Sequence, residues 1–279
     1  MISDEKNIEM IASPERKAMK IKLIHQGIVA EYKDSSNYSQ LLSANDVVQG
    51  KSYLEGGNVL STCNAQGVPS AIIGSESVLI TKDKYLQSGE NYTDEEIMSM
   101  IAKDLGVKPE NITVIPQYDF HIDMCYRPLK NGQIAVPDYE LALDFLRNEG
   151  LENQSSFTNE KLIQFLQTTA DETREIRQQA IEKLKADGYE VVSLPCFAAL
   201  NHTEFAKSNL QTNYMNAVCG TGADNSKFYI TNKSDIPELD KMIEQYLHDI
   251  GIDDVYFVSS TNYLRQMGGI DCLTKEIAQ

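Results

Sequence analysis

The sequence predicts an α/β fold, and three observations carry the prediction. Three segments share one order: an amphipathic helix, a glycine stop, then a short strand rich in β-branched residues. Further short apolar strands lie between those helices, and no Pro/Ser/Gly linker or low-complexity tract divides the chain. In the first segment Thr93 and Glu96 have capping-box spacing, Gly106 follows the helix, and 112–115 is the predicted strand. The second runs from Arg174 to a stop at Gly188 and a predicted strand over 189–194. The third starts at Pro237, stops at Gly251 and continues into a predicted strand over 255–258. Helices are also predicted over 138–149 and 157–186, and strands over 132–136, 227–230 and 70–74, the last continuing through 75–80. The glycine stops are unevenly spaced, which fits a few large α/β repeats with unequal insertions rather than a solenoid. The 279 residues (1–279) read as a single domain.

Composition narrows the function classes. Hydrophobic residues make up 42% of the chain, enough for a sizeable core. No run approaches the roughly 18 apolar residues that a bilayer span requires. The opening MISDEKNIEM is acidic and polar, unlike a signal peptide, so the chain reads as soluble and cytoplasmic. Delivery by a specialised secretion system would leave no trace in such a sequence. The net charge of −16 argues against a nucleic-acid partner, whose phosphates need a basic footprint, and against an anionic membrane surface. It suits a cationic ligand, although it equally serves solubility. Five cysteines without a CxxC pair suggest neither a zinc site nor a thioredoxin-like motif, and buried thiols account for most of them.

Four short motifs could carry chemistry, and each has a plainer reading beside the functional one. Gly268-Gly269 precedes Ile270-Asp271-Cys272 and permits a turn that brings Cys272 to a loop mouth, where a nearby cation can activate a thiol; the plain reading is a structural cysteine. His121-Ile122-Asp123 is predicted as extended, so His121 and Asp123 point to one side, a proton-transfer group beside a cation-binding carboxylate. The plain reading there is a strand with a solvated polar face. Glu55-Gly56-Gly57-Asn58 predicts a tight turn entering a strand, and it could present Glu55 to a planar ligand. Asp4-Glu5 reads either as a frayed acidic terminus or as a carboxylate pair of a site. The histidines His25, His202 and His248 have no such neighbours and read as ordinary.

Taken in order, the acidic pair, EGGN, HID and GGIDC resemble the pentein, or guanidino-group-modifying, superfamily. The likeness is strongest to the catalytic domain of protein-arginine deiminases, and Asn213-Tyr214-Met215-Asn216 resembles an Asn-rich run before that family's late strand. The resemblance implies a pentein α/β propeller of about five ββαβ-like units, with residues upstream of Met1 missing. It implies Cys272 as nucleophile, His121 as general acid/base, and Asp123 and Asp4 as the carboxylates gripping a guanidinium, with Glu55 and Asn58 as further substrate contacts. The implied partner is an arginine-containing protein or a small guanidinium compound, with no cofactor. The positions matching the calcium ligands of animal protein deiminases read Asn7, Val59 and Leu60, so that calcium site is expected to be absent. Asp271 stands where the family has histidine, and a carboxylate beside Cys272 is expected to disfavour the thiolate.

The residue types suit the chemistry that the resemblance implies. Paired carboxylates fix a guanidinium plane by charge-assisted hydrogen bonds, a thiolate attacks its carbon, and histidine moves the protons. The implied reaction converts peptidyl-arginine to peptidyl-citrulline and ammonia. The alternatives are a deiminase of agmatine or free arginine, an amidinotransferase, or a catalytically weak guanidinium- or peptide-binding pentein. A cysteine protease has no use for two cation-gripping carboxylates.

Overall fold

The computed structural model describes residues 9–12, 20–24, 29–31, 46–130, 132–148, 159–197, 213–222, 224–234, 236–259 and 270–273. The chain splits into two compact units, Met1–Ile122 with Lys275–Gln279, and Asp123–Thr274.

Among the described residues, the first unit contains two sheets. In one, β1 (Glu9–Ala12) pairs antiparallel with β2 (Lys20–Ile24) and parallel with β4 (Asp46–Gln49), while β3 (Val29–Glu31) borders β2. In the other, β5 (Val59–Cys63) pairs antiparallel with β6 (Pro69–Gly74), and β6 pairs parallel with β7 (Ile112–Ile115). The parallel return from β6 to β7 is made by α1 (Ser75–Gln87) and α2 (Asp94–Leu105). The capping box is formed as the sequence predicts: Thr93 accepts from the Glu96 N–H and the Glu96 side chain accepts from the Thr93 N–H. Gly106 ends α2 at φ 68°, a left-handed turn that favours glycine. Ile97, Ile101, Ala102 and Leu105 on α2 pack with Ala71 and Ile73 of β6 and with Ile112 as this unit's core.

The stretch 75–80 corrects the sequence reading, for it is the start of α1 and not a strand. Its β-branched residues favour a strand locally, but position decides against that. Ser77 and Thr81, four residues apart, are the buried members of the helix, and the Thr81 hydroxyl donates to Ser77 O at 2.7 Å. Leu79 and Leu86 are left exposed. The fully buried positions of the helix are thus polar, with Val78 and Tyr85 only partly buried against the core beside them, a pattern that no hydrophobic periodicity announces.

The second unit repeats the same topology twice. β8 (Arg127–Lys130) pairs antiparallel with β9 (Gln133–Asp138), which pairs parallel with β10 (Glu190–Pro195) across α3 (Tyr139–Asn148) and α4 (Asn159–Ala186). β11 (Val218–Thr221) pairs antiparallel with β12 (Lys227–Asn232), which pairs parallel with β13 (Asp254–Val258) across α5 (Pro237–Asp249). The predicted glycine stops Gly188 and Gly251 sit at φ 87° and 91°. A continuous core joins Ala142, Leu143 and Leu146 of α3 with Leu239, Ile243 and Leu247 of α5. A short helix, α6 (Ile270–Leu273), carries Cys272.

Candidate functional site

The Glu55 turn is fixed from behind by two helices. Asp104 on α2 is buried, and its Oδ2 accepts from Lys51 N, Ser52 N and Ser52 Oγ at 2.6–2.7 Å. Thr81 on α1 accepts from Tyr53 N at 3.0 Å. The backbone then enters a 3-10 turn, Gly56–Asn58, and runs straight into β5, so the predicted turn-into-strand is formed. Val59 and Leu60 are buried in β5, and Asn7 lies outside the described residues.

The expected extended His121-Ile122-Asp123 is not found. His121 ends a loop of bends after β7, and Ile122–Met124 forms a 3-10 turn. Side chains, not a strand ladder, satisfy this loop's backbone. Asn58 Oδ1 accepts from Ile122 N at 3.2 Å, and Asn58 Nδ2 donates to Phe120 O at 3.2 Å. Gln117 Nε2 donates to Asn58 Oδ1 and to Asp119 O, while its Oε1 accepts from Glu76 N at the start of α1. Asn58 was expected to contact substrate; it is 3% exposed, and its amide is committed to this loop.

The loop delivers His121 to Glu55. His121 Nε2 lies 2.9 Å from Glu55 Oε2, and because an ionised carboxylate can only accept, the imidazole donates. The other side of the ring rests on Gly57, where a Cβ would overlap Nδ1 and Cγ. Phe120 covers the ring at 4.6 Å between centroids. Glu55 is half exposed and His121 about a quarter, so the pair faces solvent. Next to it, burial pushes the Asp119 carboxyl up, against the pull of the Phe120 N–H bond and of His121. His248, read as ordinary, lies against Ile252 O at the end of α5.

Asp123 follows two residues after His121, is 4% exposed and opens the second unit. In that unit the Asn213–Asn216 run is a buried scaffold. Asn213 Nδ2 donates to Met124 O at 3.0 Å, just after Asp123. Asn216 Oδ1 accepts from Asp271 N at 2.9 Å, and Asn232 Oδ1 accepts from Ile270 N at 3.2 Å. Asn232 Nδ2 in turn donates to Asn216 O. These amides hold the first turn of α6, on which Cys272 lies; the Cys272 side chain and Asp4 lie outside the described residues.

The expectation about Asp271 is corrected. Its carboxylate accepts from Arg127 Nη2 at 2.8 Å, so the anion beside Cys272 is compensated. Arg127 opens β8, is nearly buried, and also donates from Nε to Met215 O. Burial opposes its charge, but Asp271, Cys219 and Asp123 together raise its pKa above the ordinary value. Sequence reasoning missed Arg127, Gln117 and Asn232. Only Arg127 left a signal: a lone charge after the apolar Met124-Cys125-Tyr126 implies a buried partner.

The structure therefore assembles Glu55, Asn58 and His121 in one loop pair, with Asp123 next in the chain and Cys272 on a separately scaffolded helix. No protein-family model matches the chain, and no curated protein matches it. Solved structures do. Agmatine deiminase of C. jejuni is 18% identical, with a TM-score of 0.52 over 92% of this chain and 69% of its own. Agmatine deiminase of Enterococcus faecalis is 12% identical, with a TM-score of 0.51 over 94% and 73%. A third, provisionally described as a peptidyl-arginine deiminase, is 14% identical, with a TM-score of 0.50 over 95% and 75%. The chain has an α/β fold similar to that of the pentein deiminases.

Proposed function

We propose that this chain is a cysteine hydrolase that deiminates a guanidinium group. The observation that carries the reading is the Glu55–His121 pair, held at 2.9 Å on a fold similar to solved deiminases and two residues ahead of a buried aspartate. The ββαβ order, found three times among the described residues with helices in the parallel crossover, supports a pentein propeller of about five such units.

A guanidinium carbon is a poor electrophile because resonance spreads its charge. Asp123 and Asp4 accept its N–H groups and fix its plane, which turns a bimolecular encounter into a positioned attack. The Cys272 thiolate adds to the carbon, forming a C–S bond. His121 gives a proton to one nitrogen, the C–N bond breaks, and ammonia leaves a thiouronium. His121 then takes a proton from water as the oxygen adds; the C–S bond breaks, the thiolate is restored and a ureido product departs. Glu55 orients the imidazole through both steps. No metal or organic cofactor enters this scheme.

Peptidyl-arginine is the substrate to which the sequence motifs point. Agmatine is the second reading, supported by the two agmatine deiminases of similar fold. The test is ammonia and ureido-product release from peptidyl-arginine, agmatine, free arginine and methylated arginine. Activity on one of them, lost in Cys272→Ser and in His121→Ala while the fold is retained, is expected. Activity surviving either substitution overturns the mechanism.

A further inference from the structure

The ion pair beside Cys272 has no evident stabilising purpose. A buried pair tends to contribute less than well-packed apolar residues of the same volume, because both charges lose their hydration. Here the Arg127 side chain is 9% exposed and that of Asp271 27%, and the two residues are 144 apart in sequence. The pair is also part of a fixed frame: Asp271 N is held by Asn216, Ile270 N by Asn232, and Arg127 Nε by Met215 O.

We infer that Arg127 is a positioning residue that clamps the Asp271 carboxylate, setting the first turn of α6 and cancelling the negative charge next to Cys272. This rests on the nucleophile assignment above and supplies what that assignment lacked, a compensation for the acidic neighbour. The remaining titratable groups about Arg127 are Asp123 on the 3-10 turn, Cys219 on β11 and Tyr229 on β12. Tyr229 is neutral, its phenol pushed up by burial and donating to Tyr214 O. Cys219 Sγ lies against Pro128 O at 2.6 Å. Asp123 is the one other carboxylate of the group, and Arg127 the one cation facing both acids among the described residues. Removing Arg127 leaves an excess anion near Cys272, and removing the Asp271 charge leaves an excess cation. On this inference the two changes shift the thiol in opposite directions.

The experiment measures iodoacetamide alkylation of Cys272 against pH, by mass spectrometry, in the wild type, Arg127→Met, Asp271→Asn, Arg127→Lys and the Met/Asn double variant. Thermal melts identify which variants are folded. Arg127→Met is expected to raise the alkylation midpoint by about one pH unit, and Asp271→Asn to lower it. The double variant, with neither charge, is expected to return near the wild type, and Arg127→Lys to stay near it. In turnover, Arg127→Met is expected to lower kcat roughly tenfold with KM little changed. Midpoints that move the same way in both single variants, or not at all, overturn the inference and leave a purely structural pair. If Arg127→Met does not fold, the sign for Asp271→Asn and the behaviour of Arg127→Lys decide. The nucleophile assignment fails separately: Cys272→Ser would then still release ammonia, whatever the midpoints do.

Discussion

Asn58→Ala is the sharpest probe of how the Glu55–His121 pair is held. The wild-type amide takes Ile122 N, receives Gln117 Nε2 and gives to Phe120 O, all at 3.2 Å. Gln117 keeps Asp119 O as a partner after truncation, and Phe120 O keeps Gln117 at 3.4 Å. Ile122, 1% exposed, is left with a buried N–H and no side-chain acceptor. The one uncompensated bond is worth about 1 kcal/mol and the orphaned donor about 1–3, so a destabilisation on the order of 2–4 kcal/mol is expected. His121 sits one residue before the orphaned amide, and a misplacement of its ring by about 1 Å can cost roughly a hundredfold in turnover. Urea unfolding measures the first effect, and amide hydrogen exchange at Ile122 locates it. Asn58→Asp is a useful companion, since it retains the acceptor for Ile122 but places an oxygen against Phe120 O. A variant Asn58→Ala within about 0.5 kcal/mol of the wild type, with Ile122 still protected from exchange, would refute the reasoning.

Two further outcomes are expected from the same loop. Gly57 is not among the glycines with positive φ, so alanine is allowed by the backbone, and Gly57→Ala tests the ring contact alone. The added methyl should displace His121, costing about 1–3 kcal/mol by overpacking and reducing ammonia release more than tenfold; unchanged turnover would show that the ring need not rest there. The raised carboxyl pKa of Asp119 makes the folded state bind its proton more tightly than the unfolded chain does. That contribution is fully present below the unfolded carboxyl pKa and is lost as pH rises through the folded value. Asp119→Asn keeps an acceptor for Phe120 N and removes the charge, so its Tm relative to wild type should climb between pH 4 and pH 7. A difference that is flat or falls with pH contradicts the assignment.

What the sequence discloses here is local, and what it conceals is long-range. Thr93, Glu96 and Gly106 announced α2 because caps and stops act within one or two turns, and the strand Ile112–Ile115 followed as predicted. The pairing of Glu55 with His121 was not legible, although both residues were singled out, because 66 residues separate them. His121-Ile122-Asp123 reads as extended only if its backbone bonds are assigned to a ladder. Asn58 supplies them from another part of the chain. Likewise the burial of Thr81 on α1 depends on Tyr53 N meeting its hydroxyl, and the compensation of Asp271 on Arg127, neither of which any periodicity encodes.

The supports of the candidate site are mostly amides, and a physical reason connects that choice to the chemistry proposed. Turns outside a sheet leave N–H and C=O groups pointing in both directions, and an amide can receive one and give to the other without carrying charge. Asn58 does both for the loop at 120–122, and Asn213 does both by donating to Met124 O while accepting from Met215 N and Asn216 N. Asn232 does so between Asn216 O and Ile270 N. A carboxylate in any of these places would repel the carbonyl and add a buried anion to a chain already at −16. Where carboxylates do stand in the frame they are compensated by donors: Asp104 by the Lys51 and Ser52 N–H groups and the Ser52 hydroxyl, Asp119 by Phe120 N, and Asp271 by the Arg127 cation. The neutral supports add no charge of their own around Glu55 and His121 in the first unit, or around Asp123 and Asp271 in the second.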